Sequence, residues 1–136
     1  MSVPAALGAR VRRRAGNRCE YCRLSQILQG ATFHIEHIIP KARGGHTAFE
    51  NLALACPGCN LHKGDRTHAD DALTGESVPL FHPRKSAWHE HFEWRGVRVG
   101  GKTAIGRATL NALQFNQSRR LLIRDAERSF GLFPPS

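Results

Sequence analysis

The chain has 136 residues, 40% of them hydrophobic, which predicts one domain, or one domain with an extension, around a core of limited size. It carries 20 Lys and Arg residues against 11 Asp and Glu residues, a formal net charge of +9. This excess favours a polyanionic partner, most commonly nucleic acid, over the alternative of a basic protein without such a partner.

Membrane and secreted classes fit the sequence poorly. No stretch approaches the roughly 18 consecutive apolar residues that a membrane-spanning helix needs. Residues 3–7 are apolar and arginines follow them, whereas a secretory signal places its positive charge first. The four cysteines form two Cys-x-x-Cys pairs, which are typical of metal binding in a reducing compartment rather than of disulfides. These features predict a cytoplasmic protein without a membrane partner.

Residues 5–15 are predicted to form the first helix, because Leu7 and Val11 fall on one face and arginines occupy much of the rest. Gly16, directly after this segment, is typical of a helix end. The arginine run has two interpretations, a solvated helix face or contact with phosphate groups. The candidates for phosphate contact in this helix are Arg12, Arg13 and Arg14.

Each Cys-x-x-Cys pair allows two thiolates to converge on one ion from a tight turn. The first pair is Cys19 and Cys22, and the second is Cys56 and Cys59. Together the four thiolates predict a closed, tetrahedral, structural zinc site, which has no open position for chemistry. A redox-active thiol pair and buried apolar cysteines are the two alternatives.

The segment between the two cysteine pairs predicts two short strands. Residues 32–36 alternate in character and favour a strand that ends before a turn at Pro40. After a loop over residues 41–49, residues 51–55 favour a second strand. Pro57 then suits the first turn of a helix. The predicted order is therefore strand, loop, strand, helix, held together by zinc.

The C-terminal half gives weaker patterns. Residues 66–80 have no clear period and predict a connecting loop, while residues 92–99 favour a hairpin. Thr103 is predicted to cap a helix that runs through Leu113, and residues 117–130 predict a final helix. In the final helix we expect partial burial of Leu121, Leu122 and Ile123, and exposure of Arg119, Arg120, Arg124 and Arg128.

The centre of the chain carries residues suited to phosphodiester hydrolysis, which needs a base that is neutral near pH 7 and a divalent ion held by oxygen ligands. His37 is the candidate base, and Glu36 and Asn60 are candidate ligands of a partly hydrated ion such as Mg²⁺. Glu36 and His37 are adjacent, so both serve one site only if the chain turns at His37. The amide of Asn51 is placed to brace the loop that carries His37.

Each of these residues also has an ordinary explanation when it is taken alone. A Glu-His pair is commonly a surface or core pair, and an asparagine before a strand is commonly a turn residue. The joint spacing is what indicates a site. Nearby basic residues are candidates for contact with flanking phosphates rather than with base edges. Besides the three helix arginines they are Lys41, Arg43, Lys63 and Arg66.

The spacing of these residues matches a known pattern. Asn51 follows His37 by fourteen positions, Asn60 follows by nine more, and the cysteine pairs are interleaved with them. Over residues 10–66 the chain resembles the zinc-clasped branch of the HNH endonuclease family, whose core is the ββα-metal, or His-Me finger, fold. The resemblance implies that His37 is the general base, that Glu36 and Asn60 bind the catalytic metal, and that Asn51 is structural.

Two positions depart from the family pattern. The acid before the motif histidine is more often aspartate, and Glu36 is one methylene longer. The last motif position is Asn60 rather than histidine, which disfavours softer ions such as zinc at this site. The implied catalytic ion is Mg²⁺ or Mn²⁺, with Ni²⁺ or another divalent ion as alternatives, while structural Zn²⁺ occupies the cysteine site. The C-terminal part resembles an extension found on many small bacterial HNH proteins.

The sequence therefore predicts an α+β protein with a ββα-metal core clasped by a four-cysteine zinc site, an N-terminal helix and a C-terminal hairpin and helix extension. Residues 1–66 are expected to form the nuclease core, and residues 67–136 the extension packed on it. The predicted function is a divalent-metal-dependent endonuclease or nickase acting on double-stranded DNA as a monomer or homodimer. The alternatives are a non-catalytic zinc-dependent nucleic-acid-binding module and a thiol redox protein.

Overall fold

The chain folds as a mixture of helices and small antiparallel sheets in a computed structural model, which describes residues 3–135. Within these residues there are five α-helices and six strands, paired into three two-stranded sheets. The predicted α+β class is therefore confirmed. Residues 1, 2 and 136, at the ends of the two expected segments, lie outside the described residues.

The N-terminal helix, α1 (Ala5–Ala15), has the predicted bounds. It ends because Gly16 adopts a left-handed conformation with φ 61°, which a residue without a Cβ adopts at little cost. Two amides beyond the helix are satisfied by backbone carbonyls of its last turn. Val11 is fully buried on the face that packs against the first sheet. One stripe of this arginine-rich helix therefore anchors it to the core.

The predicted strand, strand and helix follow in order. β1 (His34–His37) pairs antiparallel with β2 (Leu52–Ala55), so that His37 lies opposite Leu52 and His34 opposite Ala55. Every residue of β2 is buried, as its apolar composition requires. α2 (Pro57–Lys63) begins with proline at its first position, where no backbone donor is lost. This unit carries His37 at the end of one strand and Asn60 on the following helix.

The prediction of a loop over residues 66–80 is wrong. This segment forms a hairpin of two short strands, β3 (His68–Asp70) and β4 (Ser77–Pro79). Asp71 is fully buried beneath it and accepts two hydrogen bonds of 2.9 Å from Arg107. Asp71 also accepts from the Leu73 amide and the Thr74 hydroxyl, so the hairpin has both local support and support from a distant residue, and only the local part could be read from the sequence.

The C-terminal part contains the predicted hairpin and both predicted helices. A short helix, α3 (Trp88–His91), precedes strands β5 (Phe92–Arg95) and β6 (Arg98–Gly101). Helix α4 (Ala104–Ala112) is capped by Thr103, whose side chain accepts from the Gly106 amide at 3.0 Å. Helix α5 (Ser118–Ser129) completes the chain. The short α3 was not predicted.

The expected orientation of α5 is partly wrong. Leu121 and Ile123 are half-buried and Arg119 and Arg128 are exposed, as predicted, but three other residues differ. Leu122 is 71% exposed, whereas Arg120 and Arg124 are only 3% and 1% exposed, and Glu127 is fully buried. These three charged residues are spaced four and three apart, so they share one helix face. Arg124 donates to the carbonyls of Cys22, Phe115 and Val97, while its buried Nε has no hydrogen-bond partner among the described residues. Helix α5 therefore docks through a polar stripe, with Ile123 as an apolar contact beside it.

One hydrophobic cluster connects the two halves of the chain. It contains Val11 and Leu54 from the N-terminal half together with Trp88, Phe92 and Phe115 from the C-terminal half. The indole of Trp88 also donates a hydrogen bond of 2.8 Å to the Tyr21 carbonyl. The cysteine cluster and the end of β1 are therefore supported from both sides. None of the helices in residues 3–135 is long and apolar enough to cross a membrane.

Candidate active site and metal centre

The four cysteines come together in the core. All are buried, and their sulfur atoms lie within 4.8 Å of one another. The amides of Cys22 and Cys59 donate to the sulfurs of Cys19 and Cys56, both at 3.4 Å, as expected for tight Cys-x-x-Cys turns. This arrangement fits the tetrahedral coordination of zinc, with its Zn–S bonds of about 2.3 Å. It supports the predicted structural zinc site.

His37 is the last residue of β1 and is half-buried. Its Nε2 lies 2.8 Å from the Thr47 hydroxyl oxygen. Burial, and then the positive charges of Lys41 and Lys63, lower the pKa of His37 below its ordinary value. The imidazole is therefore neutral near pH 7, which a general base requires. No local sequence pattern distinguishes Thr47, which lies in the loop after the Gly44-Gly45 turn.

Glu36 lies beneath the surface and is 8% exposed. One of its carboxylate oxygens is 3.1 Å from the Lys63 ammonium, and the other accepts a hydrogen bond from the Tyr21 hydroxyl. Burial raises the pKa of Glu36 above its ordinary value, while Lys63 and Tyr21 act in the opposite direction. Lys63 also donates to the His37 carbonyl at 3.3 Å. Lys63 thus contacts both Glu36 and His37 from a buried position.

Asn51 ties together the connection between β1 and β2. Its side-chain oxygen accepts from the Ile39 amide at 2.9 Å, and its side-chain nitrogen donates to the carbonyls of Ile39 and His46 at 3.0 and 2.8 Å. The chain passes so closely here that a Cβ on Gly45 would overlap the Ile39 carbonyl. These three hydrogen bonds fix the backbone immediately after His37.

An open cleft of about 340 Å³ brings together the predicted base and both predicted metal ligands. Glu36, His37 and Asn60 all line it, although β1 presents Glu36 and His37 on alternate sides. A carboxylate and an amide oxygen are donors that suit a hard divalent ion with several remaining water ligands, so this donor set fits Mg²⁺. His34 and Asp65, to which the sequence assigned no chemical role, line the same cleft.

The residues predicted to contact phosphate fall into two groups. Arg12 and Arg14 donate to backbone carbonyls of Phe33 and Phe49, at 3.0 and 2.8 Å, and therefore hold the fold together. Lys63 is 2% exposed and faces Glu36 rather than solvent. The members of the second group have exposed side chains and are Arg13, Lys41, Arg43 and Arg66. Of these, Arg43 and Arg66 also donate to backbone carbonyls.

Similarity to known proteins agrees with this geometry. The family model described as HNH endonuclease matches residues 19–66, a range that contains both cysteine pairs and the cleft residues. The chain is 26% identical over 110 residues to the Septu protein PtuB of Bacillus thuringiensis, an alignment that covers 79% of this chain and 40% of that relative. The chain thus spans well under half of the relative's length. No solved structure matches the chain. Residues 19–66 therefore match the HNH endonuclease domain, as the motif spacing predicted.

Proposed function

We propose that the protein is a divalent-metal-dependent DNA endonuclease or nickase in which His37 is the general base. The observation that carries this proposal is the convergence of His37, Glu36 and Asn60 on one cleft within the HNH-matched range. The basic net charge of +9 supports a polyanionic substrate. Because one such site cuts one strand at a time, a double-strand break requires a dimer or two successive visits.

His37 activates the attacking water in this proposal. In the tautomer whose Nε2–H donates to Thr47, Nδ1 carries the lone pair that accepts a proton from water. The lowered pKa of His37 keeps that lone pair available near pH 7. Asn51 fixes the backbone after His37 and so limits movement of the ring. Thr47 and Asn51 are positioning residues, because neither is expected to contact the reacting atoms.

Glu36 and Asn60 would hold the catalytic ion, for which Mg²⁺ or Mn²⁺ fits best and Ni²⁺ is an alternative. A divalent ion bound there would offset the negative charge that builds up on the phosphate and leaving oxygen. Burial raises the pKa of Glu36, and the positive charge of Lys63 opposes that rise and so favours the ionised carboxylate. The four cysteines hold structural Zn²⁺ and take no part in the chemistry.

Double-stranded DNA is the proposed partner, and four exposed cations, of which Lys41 lines the cleft, would contact its phosphates. These residues are Arg13, Lys41, Arg43 and Arg66. We assign Arg12, Arg14 and Lys63 to the fold and to the site rather than to phosphate. Four reduced thiols that bind zinc fit a cytoplasmic location.

A non-catalytic, zinc-dependent nucleic-acid-binding module is the second candidate. One observation favours it: both carboxylate oxygens of Glu36 already have protein partners, Lys63 and Tyr21. A pure binder has no use for His37 as a base. The two functions therefore differ in whether replacing His37 abolishes DNA cleavage by a protein that still folds.

Relaxation of supercoiled plasmid tests the proposal. Purified protein is assayed with EDTA, Mg²⁺, Mn²⁺ or Ni²⁺, beside His37→Ala and the matched control His68→Ala, an exposed histidine on β3. Zinc content is verified for each protein. We expect metal-dependent cleavage that is lost only in His37→Ala, and the ratio of relaxed to linear product reports nicking against double-strand cutting. Retention of plasmid on a gel without cleavage in any metal supports the binding module instead.

A further inference from the structure

The cysteine cluster has a charged neighbour from outside the HNH-matched range. Arg120, on α5, is 3% exposed, and its Nη1 lies 3.2 Å from the sulfur of Cys59. The two residues are 61 positions apart in the chain. This contact joins the last helix of the protein directly to the predicted zinc site.

The first turn of α2 leaves room for this guanidinium. Gly58 lies between Cys56 and Cys59, and a Cβ at this position would come within 3.0 Å of Arg120 Cζ and closer still to Nη2. Glycine therefore permits the guanidinium to approach the backbone beside the sulfurs. Nη2 has no hydrogen-bond partner among the described residues. The contact of Nη1 with the cysteine cluster is therefore the main interaction that offsets the burial of the Arg120 charge.

The charge of a zinc-cysteine cluster explains why a buried cation is placed here. Four thiolates carry two more negative charges than one Zn²⁺ neutralises. An uncompensated charge of this kind is costly in a protein interior, and a hydrogen-bonded cation reduces the cost. Arg120 supplies such a cation, because it donates directly to the sulfur of Cys59. Hydrogen bonds to metal ligands commonly tune metal affinity by about 10- to 100-fold.

We propose that Arg120 is a positioning residue of the zinc site, which donates a hydrogen bond to the ligand Cys59 and offsets the negative charge of the cluster. Position 58 is glycine in this proposal because a larger residue would collide with the Arg120 side chain. Through this contact the C-terminal part of the chain secures the metal of the HNH domain. The proposal depends on zinc in the cysteine site and not on the proposed nuclease activity.

The test is the retention of zinc by intact protein under a fixed excess of chelator. The variants are Arg120→Met, which keeps much of the side-chain volume, Arg120→Lys, which keeps the charge without the planar fork, and Gly58→Ala. Arg119→Met is the matched control, because Arg119 is the exposed neighbour on the same helix. Zinc release is followed with a colorimetric indicator, and the fold is followed by circular dichroism in excess zinc.

We expect Arg120→Met and Gly58→Ala to release zinc roughly 10-fold faster or more, with Arg120→Lys intermediate and Arg119→Met like wild type. In the double variant the two changes should be less than additive, since both remove one contact. Wild-type release rates in Arg120→Met would overturn the proposal. So would an equal loss of stability with and without zinc, which marks a purely structural role. If Arg120→Met does not fold, Arg120→Lys and Gly58→Ala decide by the same release rates.

Discussion

The Lys63 ammonium lies 3.1 Å from a carboxylate oxygen of Glu36, and the two side chains are 2% and 8% exposed. A buried ion pair of this kind adds little to the free energy of unfolding compared with apolar residues of similar volume. Removing one partner, however, leaves an isolated charge in the interior and is destabilising. Glu36 also lines the cleft that contains His37 and Asn60. The pair therefore links the stability of the HNH domain to the charge state of the proposed metal ligand.

Replacing Lys63 with methionine should lower the free energy of unfolding by about 3 kcal/mol, because Glu36 loses its buried partner. The measurement is urea unfolding near pH 7, with Lys85→Met, an exposed lysine, as the control. Adding Glu36→Gln to Lys63→Met should recover part of the loss, since the uncompensated charge is then absent. A loss no greater than in the control would contradict a stabilising pair.

The loss in Lys63→Met should also shrink as the pH falls. Burial raises the pKa of Glu36, and Lys63 opposes that rise, so the pKa rises further when Lys63 is removed. A carboxyl whose folded pKa exceeds its unfolded pKa binds protons more tightly when folded, so its contribution to stability is retained at low pH and is lost as the pH rises through the folded pKa. Unfolding curves between about pH 5 and pH 7 measure this. If the stability lost in Lys63→Met is the same at every pH in that range, ionisation of Glu36 is not the cause of the loss.

When the cleavage rate is plotted against pH, the rise on the acid side should have its midpoint below about pH 6.5, the ordinary pKa of histidine. His37 acts as a base only when neutral, and burial together with Lys41 and Lys63 lowers its pKa. The rate should therefore rise with pH through that lower midpoint and then level off. Lys41→Gln should move the midpoint upward, because it removes one of the charges that lower the pKa. A midpoint that does not move would show that another group is the base.

Replacing Asn51 with alanine should reduce cleavage and lower stability by about 1 to 3 kcal/mol, because the Ile39 amide and two carbonyls lose their partner. Zinc content should stay unchanged, since Asn51 does not touch the cysteine cluster. Asn51→Asp keeps the acceptor for the Ile39 amide but loses both donors, so it should fall between wild type and Asn51→Ala. Unfolding by urea, zinc analysis and plasmid relaxation together check this. Full activity in Asn51→Ala would exclude a positioning role.

Removing zinc with a strong chelator should lower the melting temperature and loosen the unit formed by β1, β2 and α2. Structural zinc sites contribute directly to folding free energy, and this one holds the start of α2 against the segment before β1. Readdition of Zn²⁺ should restore the melting temperature, whereas Mg²⁺ should not. Cys59→Ser should behave like the zinc-free protein. An unchanged melting temperature after verified loss of zinc would contradict a structural role.

Several parts of the molecule could be predicted because their causes are local. The two-residue spacing within each cysteine pair, the stripe of Leu7 and Val11, and the proline at the start of α2 each act within a turn or two of the chain. The HNH spacing likewise lies within one continuous segment, residues 19–66. Short-range geometry and backbone preference were sufficient for these features, so the sequence alone determined the order of elements around the cleft.

The tertiary structure decided the features whose partners are distant in the chain. Arg120 and Arg124 are charged residues on a helix, and only the cysteine cluster and three distant carbonyls make their burial favourable. The ion pair between Asp71 and Arg107, 36 positions apart, likewise supports the β3–β4 hairpin from a distant part of the chain. Glu36 is adjacent to His37, yet its carboxylate faces Lys63 and Tyr21. A buried charge is stable only beside its partner, and no local pattern reveals a partner that folding alone brings into contact.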